Sequence, residues 1–322
     1  MRLGTLSLAV APHVVAALVL AAAARPQSPA HAPAAPKTAR AARHEAAPPR
    51  VAAAHRVPAR VLTLRLDHGE SVPGDRPNTW VHLPAGDLGE LKLTFVFHGF
   101  KNCIESYTGS GALCSKRDPE MRPGYAVAEQ LEREGSTSIV VVPETSFDVD
   151  SAEAPALQEH GAFRAYVEEL LGALDEETGG KTLADVTRLA LVASSGGYQA
   201  LEPILADSEP MVTDVLLLDA GYMYPNSTVG RFLGVVLADL ASGEATHRLG
   251  ILYTPSGGAL PTSFALREIA RRAAGDRGSF AHYREDPPID ALRAPLYVHR
   301  VDEDHDVVVR RNLGRVIAAA GL

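Results

Sequence analysis

The sequence predicts an α/β domain over residues 60–322, with a mostly parallel central sheet, antiparallel N-terminal strands and helices on both faces. Short apolar runs of strand length alternate with stretches whose apolar residues recur at helical spacing, which is typical of a parallel sheet wrapped by crossover helices. The two earliest runs instead alternate apolar with polar residues, as half-exposed antiparallel strands do. A hydrophobic content of 46% is enough for the core of such a domain.

The predicted strands are short runs rich in β-branched, leucyl and aromatic residues. Turn residues at 73–77 separate the first two, and the run 212–218 is apolar enough to be a buried strand. The expected strands are 60–66, 79–83, 91–97, 139–142, 186–192, 212–218, 250–253 and 295–301.

Stretches of helical periodicity lie between and after these strands. Apolar side chains recur along one face of 163–174, and this helix is expected to end near the glycines at 179–180. A second helix follows the strand 186–192 and has apolar residues within 201–205. Further helices are expected at 263–272 and, as the closing element, around 309–317.

The N-terminal region is predicted to lie outside this domain. Residues 1–24 combine a basic start, an apolar stretch and small residues at 21–24, which indicates a secretory signal peptide. Pro12 interrupts the stretch, so a stable membrane-spanning helix is not expected, although an uncleaved anchor is the alternative. Residues 25–59 are rich in alanine and proline with few large apolar residues, which predicts a disordered linker.

The charge distribution argues against a nucleic-acid partner. Residues 1–60 hold eight Lys/Arg and one Asp/Glu, which leaves 23 basic and 38 acidic residues in 61–322. Binding a phosphate backbone requires a basic surface, and this body is acidic. The basic excess of the N-terminal region is interpreted as a solvated tail.

The chain has two cysteines, Cys103 and Cys114, in one short segment. In an exported protein such a pair predicts a disulfide, which here would close a loop containing Gly109 and Gly111. A metal site would need further ligands close by, and the segment offers none.

A change of period from strand to helix marks the candidate nucleophile, Ser195. A serine at such a corner adopts a strained backbone conformation, so small residues are needed two positions before and after it. Ala193 and Gly197 meet this requirement. Ser194 would place Val192 at the crowded position, so Ser195 is the better candidate.

This pattern resembles the G-x-S-x-G nucleophile elbow of the α/β-hydrolase superfamily, with Ala193 in place of the first glycine. The order of strands and helices over 60–322 also matches that fold. A serine hydroxyl is too weak a nucleophile without a base, and the base needs an acid that fixes its tautomer. The resemblance implies that the aspartate and then the histidine follow the serine along the chain.

His305 is the predicted base. It lies just beyond the last strand and before the last helix, where α/β-hydrolases keep their catalytic histidine; the alternative is a surface histidine within the acidic run 302–306. His299 lies within the strand and is interpreted as structural. His98 resembles the histidine before the oxyanion loop, which shapes the backbone there.

Asp219 is the predicted acid, because it is the first residue after the strand that follows the elbow strand. A carboxylate at the end of such an apolar strand is costly to bury unpaired, so a partner is expected. Many members of the superfamily place the acid after the next strand, but the segment 254–258 has no carboxylate. Asp302 is the reserve candidate because it is near His305.

Two backbone N–H groups are expected to stabilise the oxyanion of acyl transfer. Gly196 follows the nucleophile at a helix N-terminus, where amides point outward. The segment His98-Gly99-Phe100 resembles the HG-X type of oxyanion loop, which implies that Phe100 N–H is the second donor. A disulfide at Cys103 would stiffen this loop.

No metal or cofactor site is predicted. The carboxylates of 302–306 suit calcium, but the run lacks the spacing and the glycine of a calcium loop and is interpreted as a solvated acidic loop. Its charges are expected to raise the pKa of His305. The glycines at 196 and 197 do not form the G-x-G-x-x-G pattern of dinucleotide sites.

The predicted function is an exported serine hydrolase that cleaves a carboxylic ester through an acyl-enzyme intermediate. A peptidase or amidase with the same triad stays open, as does a non-catalytic secreted binding protein, because Ala193 departs from the motif. The expected substrate is a small-molecule or cell-envelope ester, and the expected location is secreted or periplasmic, or membrane-tethered if the signal is uncleaved. The segment 221–248 is interpreted either as a small lid or as a connecting helix packed in the core.

Overall fold

The computed structural model describes residues 58–109, 111–114, 121–145, 151–220, 228–255, 267–268, 271, 275 and 278–322. The predicted signal peptide and nearly all of the predicted linker lie outside these residues. The predicted helix 263–272 also lies outside them, apart from three positions.

The strands of the described residues are β1 Arg60–Leu64, β2 Thr79–Leu83, β3 Leu91–Phe97, β4 Gly111–Ala112, β5 Arg122–Pro123, β6 Ile139–Pro143, β7 Val186–Ser194, β8 Asp214–Leu218, β9 Arg248–Tyr253, β10 Ser279–Tyr283 and β11 Leu296–Val301. Nine of these described strands form a central sheet in the order β1-β2-β6-β3-β7-β8-β9-β11-β10. In this sheet β1–β2 and β2–β6 pair antiparallel, and the other neighbouring pairs are parallel. A separate two-stranded ribbon pairs β4 with β5. The predicted fold class is confirmed.

The α-helices of the described residues connect these strands and cover the sheet. They are α1 Ile104–Thr108, α2 Val127–Glu134, α3 Pro155–Gln158, α4 Ala162–Ala173, α5 Asp175–Thr178, α6 Tyr198–Ser208, α7 Thr228–Ser242, α8 Ile289–Leu292 and α9 His305–Ala319. As expected, Gly179 ends the helical segment after α4, at a φ of 67° that favours glycine.

The two faces of the sheet bury separate apolar clusters. Alternate residues of β7 show the division, because Leu191 and Ala193 join one cluster while Ala190 and Val192 join the other. Helices α4, α6 and α7 pack on the first face, and α2 and α9 pack on the second. A parallel sheet covered in this way reads as nearly continuous apolar runs, which is why its strands were visible in the sequence.

Strand β2 differs from its prediction as a half-exposed strand, because all five of its residues are buried. It lies between β1 and β6. Its Trp80 packs in one apolar cluster while Val81 and Leu83 pack in the other. The edge strand β1 has the expected half-exposed pattern.

None of the helices within the described residues combines the length and the apolar character that a membrane span requires.

Candidate active site

The strand-to-helix corner has the geometry of a tight elbow. Strand β7 ends at Ser194, a 3₁₀ turn spans Ser195–Gly197, and α6 begins at once. Ser195 has a φ of 49°, which L-residues adopt rarely and at a cost. A Cβ on Gly197 would overlap the Phe97 carbonyl oxygen, so only glycine fits this close approach. Ala193 is fully buried in the core, where its methyl group packs.

Asp219 and His305 meet although 86 residues separate them. Asp219 directly follows β8 and is fully buried, and His305 is the first residue of α9, four residues after β11 ends. His305 Nδ1 lies 2.6 Å from Asp219 Oδ2, within hydrogen-bond distance. The two parallel strands end at the same edge of the sheet, which explains why the side chains come together.

Asp219 also accepts two hydrogen bonds from Thr254, which follows β9. The Thr254 hydroxyl donates to Oδ2 at 2.6 Å, and its backbone N–H donates to Oδ1 at 3.1 Å. The segment 254–258 has no carboxylate, and for that reason no acid is predicted there. The structure shows that the first residue of this segment instead orients the carboxylate of the neighbouring strand. Its position at a strand end was the available signal.

The pKa of His305 is raised above its ordinary value. The largest cause is the hydrogen bond to Asp219, which stabilises the charged imidazolium, and the charges of Asp219 and Asp306 act in the same direction. Partial burial opposes them. Asp219, and not the acidic run as a whole, is therefore the main source of the shift.

The rival residues lie elsewhere. Asp302 is 34% exposed and pairs with His282 at 3.0 Å and with Arg300 at 3.2 Å. His299 is fully buried within β11, and burial lowers its pKa to about 4. Its ring stacks on Tyr297 with centroids 5.4 Å apart, as expected of a structural histidine.

The segment after β3 lies directly against the nucleophile. A Cβ on Gly99 would come within 2.7 Å of Ser195 Cβ, so glycine permits the close approach. The Phe100 ring covers Gly196 and is 42% exposed. Gly196 lies in the first turn that leads into α6, where backbone N–H groups have no partner within the helix. Both candidate oxyanion donors therefore belong to segments that border Ser195.

Ser194, the second serine of the corner, has a buried hydroxyl that hydrogen-bonds the Tyr107 hydroxyl. Burial strongly raises the pKa of Tyr107, so this phenol stays protonated. The Tyr107 ring contacts Tyr125 with centroids 4.8 Å apart, and the Tyr125 hydroxyl donates to Asp306 Oδ1 at 3.1 Å. These tyrosines could not be predicted, because no local pattern in the sequence connects them to the elbow.

A cavity of about 220 Å³ opens where these segments meet. Ser195 and His305 both line it, and no hydrogen bond joins them among the contacts of the described residues. Its other lining residues are Phe100, Lys101, Asn102, Arg122, Tyr125, Ser194, Asp306 and Val309.

Cys103 follows the cavity-lining Asn102 and is joined to Cys114 by a disulfide with Cα atoms 5.3 Å apart. Cys103 immediately precedes α1, and its backbone N–H donates to Ser106 Oγ at 3.2 Å in a capping box. The disulfide therefore fixes the start of α1, the helix that contains Tyr107.

Two further sequence interpretations concern the surroundings of the site. In the part of the chain that the structure describes, no cluster of His, Cys, Asp or Glu side chains could hold a metal ion. Phe232 and Leu233 of α7 are buried in the core, which agrees with a connecting helix packed there. Residues 221–227, the remainder of the lid alternative, lie outside the described residues.

Comparison with known proteins finds distant structural likenesses. No protein-family model and no curated protein matches the sequence. The feruloyl esterase module from Clostridium thermocellum is 14% identical, covers 81% of this chain and 88% of that chain, and has a TM-score of 0.48. A ferulic acid esterase is 15% identical, and its alignment covers 82% of this chain and 99% of that esterase, with a TM-score of 0.48.

The S-formylglutathione hydrolase from Agrobacterium tumefaciens is 15% identical, and its alignment covers 80% of this chain and 91% of that hydrolase, with a TM-score of 0.40. The chain is similar to these proteins only at TM-scores below 0.5 and identities of 14–15%, so neither a family nor a chemistry follows from the likeness.

Proposed function

We propose that this protein is a serine hydrolase that cleaves a carboxylic ester through an acyl-enzyme intermediate. The observation that carries the proposal is the short contact between His305 Nδ1 and the buried Asp219, beside a strained Ser195 that lines the same cavity. A histidine bonded in this way has its Nδ1 proton fixed, which leaves Nε2 as the base.

In the proposed mechanism, His305 Nε2 takes the Ser195 hydroxyl proton as the oxygen attacks the ester carbonyl carbon. The carbonyl oxygen becomes an oxyanion, which the Phe100 and Gly196 N–H groups stabilise. The tetrahedral intermediate collapses, and His305 protonates the leaving alcohol. Water then attacks the acyl-enzyme while His305 takes its proton, and His305 returns that proton to the Ser195 oxygen as the acid product leaves. No hydrogen bond joins His305 and Ser195 in the structure. Catalytic hydrogen bonds of this kind commonly tighten only when substrate binds.

An ester is proposed over an amide because an alcohol leaves a tetrahedral intermediate more readily than an amine does. We propose a small-molecule or cell-envelope ester as the substrate. The acidic body supports the absence of a nucleic-acid partner.

We also propose that the protein is exported by residues 1–24. A cysteine pair at bonding distance is typical of an oxidising compartment, which supports this location. N-terminal sequencing of protein from the producing cells tests the proposal, because a start near residue 25 is expected and a retained Met1 would indicate an uncleaved anchor.

Labelling of the full-length protein by a fluorophosphonate probe tests the serine chemistry. We expect rapid labelling that disappears in Ser195→Ala and in His305→Ala and persists in Ser194→Ala, the control at the neighbouring serine. A panel of p-nitrophenyl esters then measures turnover in the same variants. A folded wild type that neither labels nor turns over any ester would refute catalysis and favour the binding-protein alternative.

A further inference from the structure

A buried carboxylate lies beneath the loop that contains the proposed oxyanion donor. Glu144 follows β6, is 1% exposed and has no role in the mechanism above. Its Oε1 lies 2.7 Å from His98 Nε2, and its Oε2 accepts a hydrogen bond from Ile104 N–H at 3.3 Å. Because a carboxylate only accepts, His98 Nε2 is the donor of the first bond, and the longer approach of Thr145 N–H to the same nitrogen, at 3.2 Å, is then no hydrogen bond. Glu144 therefore binds residues on both sides of the loop 99–103.

The His98 ring also contacts the peptide unit that contains the proposed donor. Its Nδ1 lies 3.3 Å from the Gly99 carbonyl oxygen, and Asn102 N–H donates to the same oxygen at 3.3 Å. The Gly99 carbonyl and the Phe100 N–H belong to one planar trans peptide, so they point in opposite directions. A neutral His98 that donates through Nε2 has no proton on Nδ1, so Asn102 N–H is the donor that holds this carbonyl, and the Phe100 N–H points away from it.

We propose that Glu144 is a positioning residue for ester hydrolysis, which through His98 and Ile104 holds the loop 99–103 so that Phe100 N–H faces the developing oxyanion. This inference rests on the proposed function. Loss of an oxyanion donor lowers kcat by about 10²–10³ in a serine protease. A displaced donor keeps part of its effect, so loss of Glu144 is expected to lower kcat by about 10- to 100-fold.

Three substitutions separate this role from a general need for a buried charge. Glu144→Met fills the volume and removes both acceptors. Glu144→Gln can replace both bonds, because its oxygen accepts from Ile104 while its amide donates to His98 Nε2, whose proton moves to Nδ1 and is donated to Gly99. Glu144→Asp keeps the charge but is one methylene shorter, so it cannot reach both partners.

Asp207 provides a control with the same bonding pattern but an exposed partner. Its carboxylate also bridges a histidine and a backbone amide, since it bonds His160 Nδ1 and accepts from Gly161 N–H at 2.8 Å, and the His160 side chain is 97% exposed. Asp207 lies near the end of α6, nine residues and about 14 Å along the helix from its first residue, Tyr198. Asp207→Leu is expected to change stability without changing kcat.

The measurements are kcat and KM on a p-nitrophenyl ester and the inhibition constant of a trifluoromethyl ketone, whose serine adduct has an oxyanion. For Glu144→Met we expect kcat to fall 10- to 100-fold, KM to stay within threefold, and the inhibition constant to rise by about the factor that kcat/KM loses. Glu144→Gln should stay within threefold of wild type in kcat. Melting curves establish that each variant is folded.

Wild-type kcat and inhibitor affinity in folded Glu144→Met would overturn the role of Glu144. If Glu144→Met does not fold, the other two variants decide, because the proposal requires Glu144→Gln to exceed Glu144→Asp in kcat, and the reverse order overturns it. Ester turnover that survives Ser195→Ala would overturn the proposed function itself. Turnover that is lost in Ser195→Ala but retained in folded Glu144→Met and Glu144→Asp would overturn only this inference.

Discussion

Replacement of Asp219 by asparagine tests the proposed triad most directly. The carboxylate is fully buried, and its Oδ2 accepts from both His305 Nδ1 and the Thr254 hydroxyl. In Asp219→Asn, Oδ1 can keep the Thr254 N–H bond, which leaves the amide NH₂ facing His305. A donor in that position favours the tautomer with a bare Nδ1, and Nε2 then has a proton and cannot act as the base.

The expected loss in kcat is about 10⁴-fold, which corresponds to about 5.4 kcal/mol of transition-state stabilisation. A charge-assisted hydrogen bond contributes about 1.5–3 kcal/mol of this, so the lost bond alone does not account for the effect. The larger part comes from the wrong tautomer. The fold should survive, because aspartate and asparagine have nearly the same shape and the Thr254 amide keeps its acceptor.

Asp302→Asn is the matched control, since Asp302 is the reserve acid of the sequence analysis. Its pairs with His282 and Arg300 are partly exposed, and exposed pairs contribute about 0.2–1 kcal/mol to stability. Its kcat should stay within twofold of wild type. The assay is ester turnover with the rate of fluorophosphonate labelling. The assignment is wrong if Asp219→Asn keeps more than a tenth of wild-type kcat, or if Asp302→Asn loses as much.

Three further predictions concern the pH dependence of turnover, the glycine of the elbow and the disulfide. Because the hydrogen bond to Asp219 raises the pKa of His305 and only the neutral ring acts as base, kcat/KM should fall at acidic pH with a midpoint above 6.5; a profile flat into strong acid contradicts this. Gly197→Ala should abolish folded, active protein, whereas Gly234→Ala, which meets open space in α7, should raise the unfolding free energy by up to about 1 kcal/mol; equal denaturation midpoints would contradict it. Reduction of Cys103–Cys114, which closes a short loop, should lower stability by about 3 kcal/mol and turnover severalfold, and unchanged melting and turnover would remove its role in the loop.

The positions of the three proposed catalytic residues could be predicted because each depends on a local pattern. Apolar runs mark where strands end, and a mostly parallel sheet brings the carboxyl ends of its strands to one edge. Ser195, Asp219 and His305 each follow such a run, so their proximity required no knowledge of side-chain contacts. The predicted strand ends were within two residues of those observed, with β7 extending to Ser194.

The supporting contacts could not be predicted in the same way. Tyr107 meets Ser194 across 87 residues, and Glu144 meets His98 across 46, through pairings that no periodicity encodes. Strand β10 was missed because its residues are only half buried and include polar side chains, so it lacks a clear apolar run. Helix α2 was missed since few of its residues face the core.

Backbone strain, which the motif leads one to expect at the serine, gives a further argument for catalysis. Among the described residues, the non-glycine positions with positive φ are Lys101, Ala126, Ser195 and Asp219. Two of these are the proposed nucleophile and acid, and Lys101 adjoins the proposed oxyanion donor. Such conformations cost about 1–3 kcal/mol each and persist where the surrounding structure holds them. A protein that only binds a ligand has no need of a strained Ser195 packed against Gly99, where a side chain would not fit. The strain therefore favours the hydrolase over the binding protein.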